Sequence, residues 1–199
     1  MLALTFHPFK TPGPKYFVFR SSGHVDSLAC HFVTTILNLP PAILTSMEIP
    51  IRTANHGDLM HIVHHRRAMF EEMGYRGLAV LDQVDQSSRE YFDEALRTGV
   101  YKGWLAEDPS GRILAGGGIV IANWPGYPGE DLAKRAWILN MYTEPEARRR
   151  GIAKKLLEVI IHWCRTAGFH TVSLHASPAG RSLYESAGFQ PTNEMRLTL

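Results

Sequence analysis

An apolar run, three arginines, a glycine and a long amphipathic stretch follow one another between Trp137 and Ala167, and few folds accommodate that order. Residues 137–143 are aromatic and aliphatic and short enough for a buried strand. Beyond them Ile152, Leu156, Val159, Ile160, Trp163 and Ala167 recur with the helical period, while Lys154, Lys155, Glu158 and Arg165 fall on the opposite face. Arg148, Arg149 and Arg150 therefore stand where a helix begins, and their charge has the wrong sign for that position. A helix N-terminus presents free N–H groups and a partial positive charge, so each cation there costs up to about 1 kcal/mol. Basic triplets also decorate solvated faces. This one, placed between a strand and a helix, is explained by an anion that offsets both the arginines and the dipole. Gly151 and the small Ala153 would let the backbone approach such a ligand closely. No Gly-Lys-Ser/Thr follows and no set of three spaced glycines is present, which excludes the common nucleotide-binding loops.

The remainder reads as one mixed α/β domain from about residue 47. Residues 49–52 form a short strand. Asn55, with Asp58 three residues on, opens a helix carrying Leu59, Ile62, Val63, Phe70 and Met73 and ending at Gly74. A loop over residues 75–81 precedes a second helix at about residues 87–97. Residues 100–106 and 112–121 are expected to form a hairpin around Asp108, Pro109, Ser110 and Gly111. Gly116, Gly117 and Gly118 fall inside that second strand, which points to a bulge or a close backbone approach. A strand at residues 171–175, a helix opened by Ser177 and Pro178 and closed by Gly188, and a last strand from Phe189 complete the expectation.

Composition narrows the class. A chain of 199 residues buries one substantial core. A net charge of +2 argues against nucleic acid as the main partner. Two cysteines, Cys30 and Cys164, give no disulfide framework, and Cys164 is expected in the core. No apolar run approaches the roughly 18 residues of a membrane span, so a cytoplasmic protein without membrane contact is expected. Residues 1–46 are proline-broken and lack the basic start and unbroken apolar run of a signal segment. They form an extension ahead of the domain at residues 47–199. Either they are an arm that packs on the domain or a partner, or they are sequence upstream of a native start at Met47; the second reading is favoured.

Arg148-x-x-Gly151-x-Ala153 after a strand resembles the acyl-CoA signature of the GNAT (GCN5-related) N-acetyltransferases, and Leu183-Tyr184-x-x-x-Gly188-Phe189 is similar to a segment near the end of that fold. The two motifs stand in the family's order, about 33 residues apart from Gly151 to Tyr184. The resemblance implies a central, mostly antiparallel sheet with helices on both faces and a splayed strand pair that holds acetyl-CoA as co-substrate. It implies that the backbone of Met141, Tyr142 and Thr143 pairs with the pantetheine arm. The pyrophosphate would then rest on Arg148, Arg149, Arg150, Gly151, Ile152, Ala153 and Lys154. Ser177 stands where the family often has an asparagine that touches the cofactor.

The implied reaction is attack of a primary amine, of a small molecule or peptide, directly on the thioester. An amine with a pKa near 10.4 is neutral in about one molecule in 2,500 at pH 7, so a base or a desolvating site must supply roughly 4.6 kcal/mol. Tyr184 matches the family's acid beside the sulfur. Since tyrosine is a weaker acid than a thiol, a hydrogen bond to the departing thiolate describes its role better than full proton transfer. The family's base positions align with Trp137 and Leu139, which accept no proton. Glu144 is the favoured substitute, with Glu71, Glu72, His175 or a water chain as alternatives. His61, His64 and His65 lack the further ligands a zinc site needs, and no metal is expected. The acceptor site would be shaped by residues 69–76 and by the loop with Trp124 and Tyr127. A non-catalytic acyl-CoA-binding protein is the alternative function, and a homodimer is compatible with either.

Overall fold

The computed structural model of the chain describes residues 49–126 and 128–198. The expectations placed on residues 1–46, and on Tyr127, lie outside the described residues. The elements run β1 (Ile51–Thr53), α1 (Leu59–Glu72), α2 (Leu78–Thr98), β2 (Tyr101–Glu107), β3 (Ile113–Asn123), β4 (Lys134–Thr143), α3 (Ile152–Thr166), β5 (Val172–Leu174) and α4 (Arg181–Ser186). The strands form one sheet in chain order. Neighbours pair antiparallel except β4 and β5, which are parallel. It is the mixed α/β fold, mostly antiparallel with helices on both faces, that the sequence motifs imply.

Two apolar layers hold it. On one face Ile152, Leu156, Leu157, Ile160 and Cys164 of α3 pack on Trp104, Leu114, Ile119, Ala136 and Ile138. Each such aliphatic side chain contributes about 1.5–3 kcal/mol by leaving water. Cys164 is fully buried, as its place on the stripe suggests, and burial pushes its thiol pKa up to about 11. On the other face Ile62 of α1 and Phe92 and Ala95 of α2 pack with Tyr101.

Local signals act where they were expected. Asn55 Oδ1 accepts from Gly57 N at 2.8 Å and Asp58 Oδ2 accepts from Asn55 N at 2.8 Å, which starts a short 3-10 turn that runs into α1. In the β2–β3 turn Asp108 Oδ1 accepts from the backbone of Ser110 and Arg112 at 2.9 and 3.1 Å.

Three elements differ from expectation, one of them α4, which begins at Arg181 after a turn over residues 178–180 and not at Pro178. α2 begins at Leu78, not near residue 87. Its first turn, Leu78 to Leu81, is apolar all round, with Leu78 and Val80 exposed and Leu81 buried, so no helical period marks it; Asp82 and Asp85 in the next turn meet Arg67 of α1 at 2.8 and 2.6 Å. The strand expected from Phe189 onward is absent: residues 189–198 have no regular structure. Pro191 lacks an N–H for a ladder, and Met195 and Leu197 are exposed and cover no core.

Candidate functional site

β4 outlives its neighbour. β5 pairs with it only at Ala136, Ile138 and the Trp137 between them, whereas β3 accompanies it to Thr143. Past Ile138 the edge of β4 that faced β5 has no ladder partner among the described residues. An open strand edge of this kind offers its N–H and C=O groups to an extended ligand with amides of its own.

The open segment contains a bulge. Gly118 pairs with Leu139 and Gly116 with Tyr142, so Asn140 and Met141 together oppose the single Gly117. Asn140 adopts φ 59°, the left-handed conformation that asparagine tolerates best among side-chain-bearing residues. The extra residue reverses which side chains face which layer. Ala136 and Ile138 lie in the α3 layer and Met141 packs against it, while Tyr142 turns to α1, its ring 5.3 Å from that of His65.

The glycine triplet on β3 exists for the residues it faces. A Cβ at Gly116 would lie 2.6 Å from His65 Nδ1; at Gly117 it would overlap Met141 Sδ, and at Gly118 the Tyr101 hydroxyl. Asn140 is held at the bulge by Arg66, whose Nη1 donates to Oδ1 at 2.9 Å. Its Nδ2 is buried without a well-formed hydrogen bond among the described residues, and the nearby Tyr101 hydroxyl feels it: the Asn140 side chain favours the Tyr101 phenolate, while burial of Tyr101 outweighs this and raises its pKa.

The turn after β4 builds the start of α3. Gly151 holds φ 77° and Arg149 φ 61°, and no side chain caps the helix. Its first backbone bond runs from Lys155 N to Gly151 O at 3.1 Å, so the N–H groups of Ile152, Ala153 and Lys154 point out of the helix end. The side chains of Arg149, Arg150 and Lys154 are exposed, with no carboxylate partner among the described residues. Ile152 is buried, so only its backbone is available. Arg148 is placed differently: its Nε donates to Thr143 O at 2.9 Å and its guanidinium pairs with Glu72 over the Tyr142 ring. It ties the end of β4 to α1.

Tyr184 lies half-buried on α4, beside Phe189 and against the same apolar layer as Met141. Burial raises its pKa, which keeps the hydroxyl protonated and a donor. Ser177 Oγ accepts from Gly180 N at 3.2 Å and shapes the turn into α4. Glu144 sits past the end of β4, 3.1 Å from His64 Nε2 and 3.4 Å from His65 Nε2. A carboxylate that close favours an imidazolium, yet burial dominates at His65 and, with His64 and His61 nearby, lowers its pKa to about 4. Glu71 is held by Arg67, and Glu72 by Arg148.

His175, the residue after β5, stands at the mouth of the splay with its ring 5.0 Å from Trp137. Its Nε2 is 2.5 Å from Glu194 Oε2, a contact that lowers the Glu194 pKa. Trp124 is remote from this place, in a cavity of about 510 Å³ at the β3–β4 turn. Asn140 and Arg66 were missed from the sequence. The glycine triplet announced a bulge, but no local signal marks two residues 74 positions apart. Among the described residues no group of three His, Cys, Asp or Glu could hold a metal ion, and no helix is long and apolar enough to cross a membrane.

Known proteins share this fold. A crystal structure of a GCN5-related N-acetyltransferase from Ralstonia eutropha JMP134 is 34% identical, with a TM-score of 0.71 over 75% of this chain and 97% of that one. A predicted acetyltransferase from Clostridium acetobutylicum, solved with acetyl-CoA, is 27% identical with a TM-score of 0.69, over 75% of this chain and 95% of that one. A probable N-acetyltransferase family 8 member 5 from Mus musculus is 27% identical over 118 residues, 55% of this chain. The chain spans about half the length, 52%, of that curated relative. The model of the "Acetyltransferase (GNAT) family" matches residues 64–189, more than half of the sequence, and the chain belongs to that family.

Proposed function

We propose that this protein is an acetyl-CoA-dependent N-acetyltransferase that acetylates a primary amine of a small molecule or peptide. The observation that carries the reading is the adjacency of two unsatisfied backbone sets: the open edge of β4 after Ile138 and the uncapped, basic start of α3. One suits the amides of a pantetheine arm and the other a pyrophosphate. That the Clostridium relative was solved with acetyl-CoA supports the same assignment.

Met141, Tyr142 and Thr143 would bind the arm by their backbone. Arg149, Arg150 and Lys154 would add charge around the N–H groups of residues 151–154, and Arg148 would hold the turn in shape. The bulge would hold the acyl oxygen on a backbone N–H of β4. Tyr184 would donate to the sulfur, with Ser177 beside it. Bound acetyl-CoA supplies the activated acyl group. For the base we assign His175, oriented by Glu194, in place of Glu144. Glu144 already faces two histidines beyond the end of β4, while His175 stands where the strands part.

The test combines melting with turnover. Acetyl-CoA should raise the melting temperature, since a ligand of the folded state stabilises it by mass action, and thiol release should follow on one or more of a panel of primary amines. A shift without thiol release leaves a non-catalytic acyl-CoA-binding protein; no shift at millimolar ligand ends the reading.

A further inference from the structure

A cavity of about 330 Å³ opens on the α1/α2 face of the sheet, lined by Arg66, Ser87, Ser88, Tyr91, Phe92 and Leu139. Its position ties it to the bulge. Leu139 immediately precedes Asn140, and the Arg66 guanidinium that lines the cavity also donates to Asn140 Oδ1.

Arg66 is the unusual member. It is half-buried, and burial lowers its pKa, so its charge is poorly served by water. Among the described residues its contacts are with neutral groups: the Asn140 amide, and the Phe70 ring 4.9 Å from the guanidinium carbon. It has no carboxylate partner among the described residues. Its neighbour Arg67, one position along α1, shows the contrast, with three carboxylates from Glu71, Asp82 and Asp85. A desolvated cation without an anion is a costly arrangement for folding alone.

Around it stand groups that hydrogen-bond an anion without adding charge, the hydroxyls of Ser88 and Tyr91, while Ser87 on the rim donates its own to Val84 O at 3.1 Å. One guanidinium with neutral donors matches a single negative charge. The flat fork of an arginine matches the two oxygens of a carboxylate. Phe92, Val120 and Leu139 supply a short apolar wall, enough for a few methylenes.

We propose that this cavity seats the carboxylate of the acceptor, so that the substrate is a small amine carrying one carboxylate, an amino acid or a close relative. The inference rests on the transferase reading above and names its substrate class. The carboxylate is held by Arg66 on the helical face, and the amine end is directed toward the bulge.

The test uses the full chain with acetyl-CoA and matched acceptors: α- and ω-amino acids of increasing length, their carboxamides, and aminoalkyl phosphonates of the same lengths. The expected result is a kcat/KM for the best amino acid about 10–10²-fold above that of its carboxamide, the usual worth of a charge-assisted contact. Arg66→Gln should bring that ratio close to one. Because Arg66 also braces Asn140, a second variant leaves it intact: Ser87→Glu places a competing carboxylate on the exposed rim and should raise KM for the amino acid selectively.

A binding readout separates the two proposals. In the presence of CoA, N-acetyl amino acids should raise the melting temperature and their amides should not. Equal use of amino acids and carboxamides, with thiol release intact, overturns the carboxylate seat and leaves the transferase standing. A preference for phosphonates overturns the assignment of a single charge. Absence of thiol release with every amine, together with no stabilisation by N-acetyl amino acids, removes the transferase reading and this one with it.

Discussion

A methyl group added at Gly118 would meet the Tyr101 hydroxyl and, 2.6 Å away, the Lys102 carbonyl oxygen of the neighbouring strand. Backbone cannot move aside without breaking the ladder, so Gly118→Ala should cost about 1–3 kcal/mol, the usual range for overpacking. Gly117→Ala should cost less, because the Met141 thioether it meets is flexible. Denaturant melts of the two variants check the order. At Tyr184 the expectation concerns rate. Tyr184→Phe removes one hydroxyl while its ring contact with Phe189 can persist. Turnover should fall by about 10²–10⁴-fold with acetyl-CoA affinity little changed, the pattern of an interaction made mainly in the transition state. Unchanged turnover would take Tyr184 out of the mechanism.

At the scale of elements, the start of α3 works through its backbone more than its side chains. Gly151 holds φ 77° with nothing within 4 Å of an added Cβ, so conformation and not space is what a side chain would violate there. Gly151→Val should therefore abolish stabilisation by acetyl-CoA, partly by moving the N–H groups and partly by covering them. Arg149→Glu combined with Arg150→Glu leaves the backbone alone and reverses the exposed charge. Binding should weaken, and raising the salt should narrow the difference between variant and parent. Titration calorimetry at two salt concentrations reads both effects.

The whole molecule should be acid-sensitive through one buried histidine. His65 is buried, and its folded pKa of about 4 lies below the ordinary 6.5, so the unfolded chain takes up a proton first. Stability that is fully present above pH 6.5 is then lost as pH falls toward 4, on the order of 3 kcal/mol in all. Unfolding free energies at pH 7, 6 and 5 should show this slope, and His65→Gln should flatten it. A chain that begins at Met47 should fold and show the same acetyl-CoA shift as the full chain, because residues from Ile49 onward build the sheet and two apolar layers. Aggregation of the shorter chain, or loss of the shift, would show that residues 1–46 are required.

What the sequence determined by itself was local. The start of α3 was legible because glycine, small residues and misplaced cations act within one turn, and the apolar period of the same helix marked its buried face. The asparagine start of the first helical turn and the Asp108 turn were legible for the same reason. The glycine triplet predicted a bulge or close approach, but not the positive φ of Asn140 across from it, nor that His65, Met141 and Tyr101 fill the three spaces. Tertiary structure decided the rest. The early start of α2 goes with burial of Leu81 and ion pairs to Arg67, and of the expected last strand Phe189 packs on a layer while Met195 and Leu197 stay exposed. Arg66 and Asn140 meet only when α1 lies on the sheet, and His175 meets Glu194 only when the tail returns past β5. Such contacts depend on burial and distance in space, which a one-dimensional pattern does not carry.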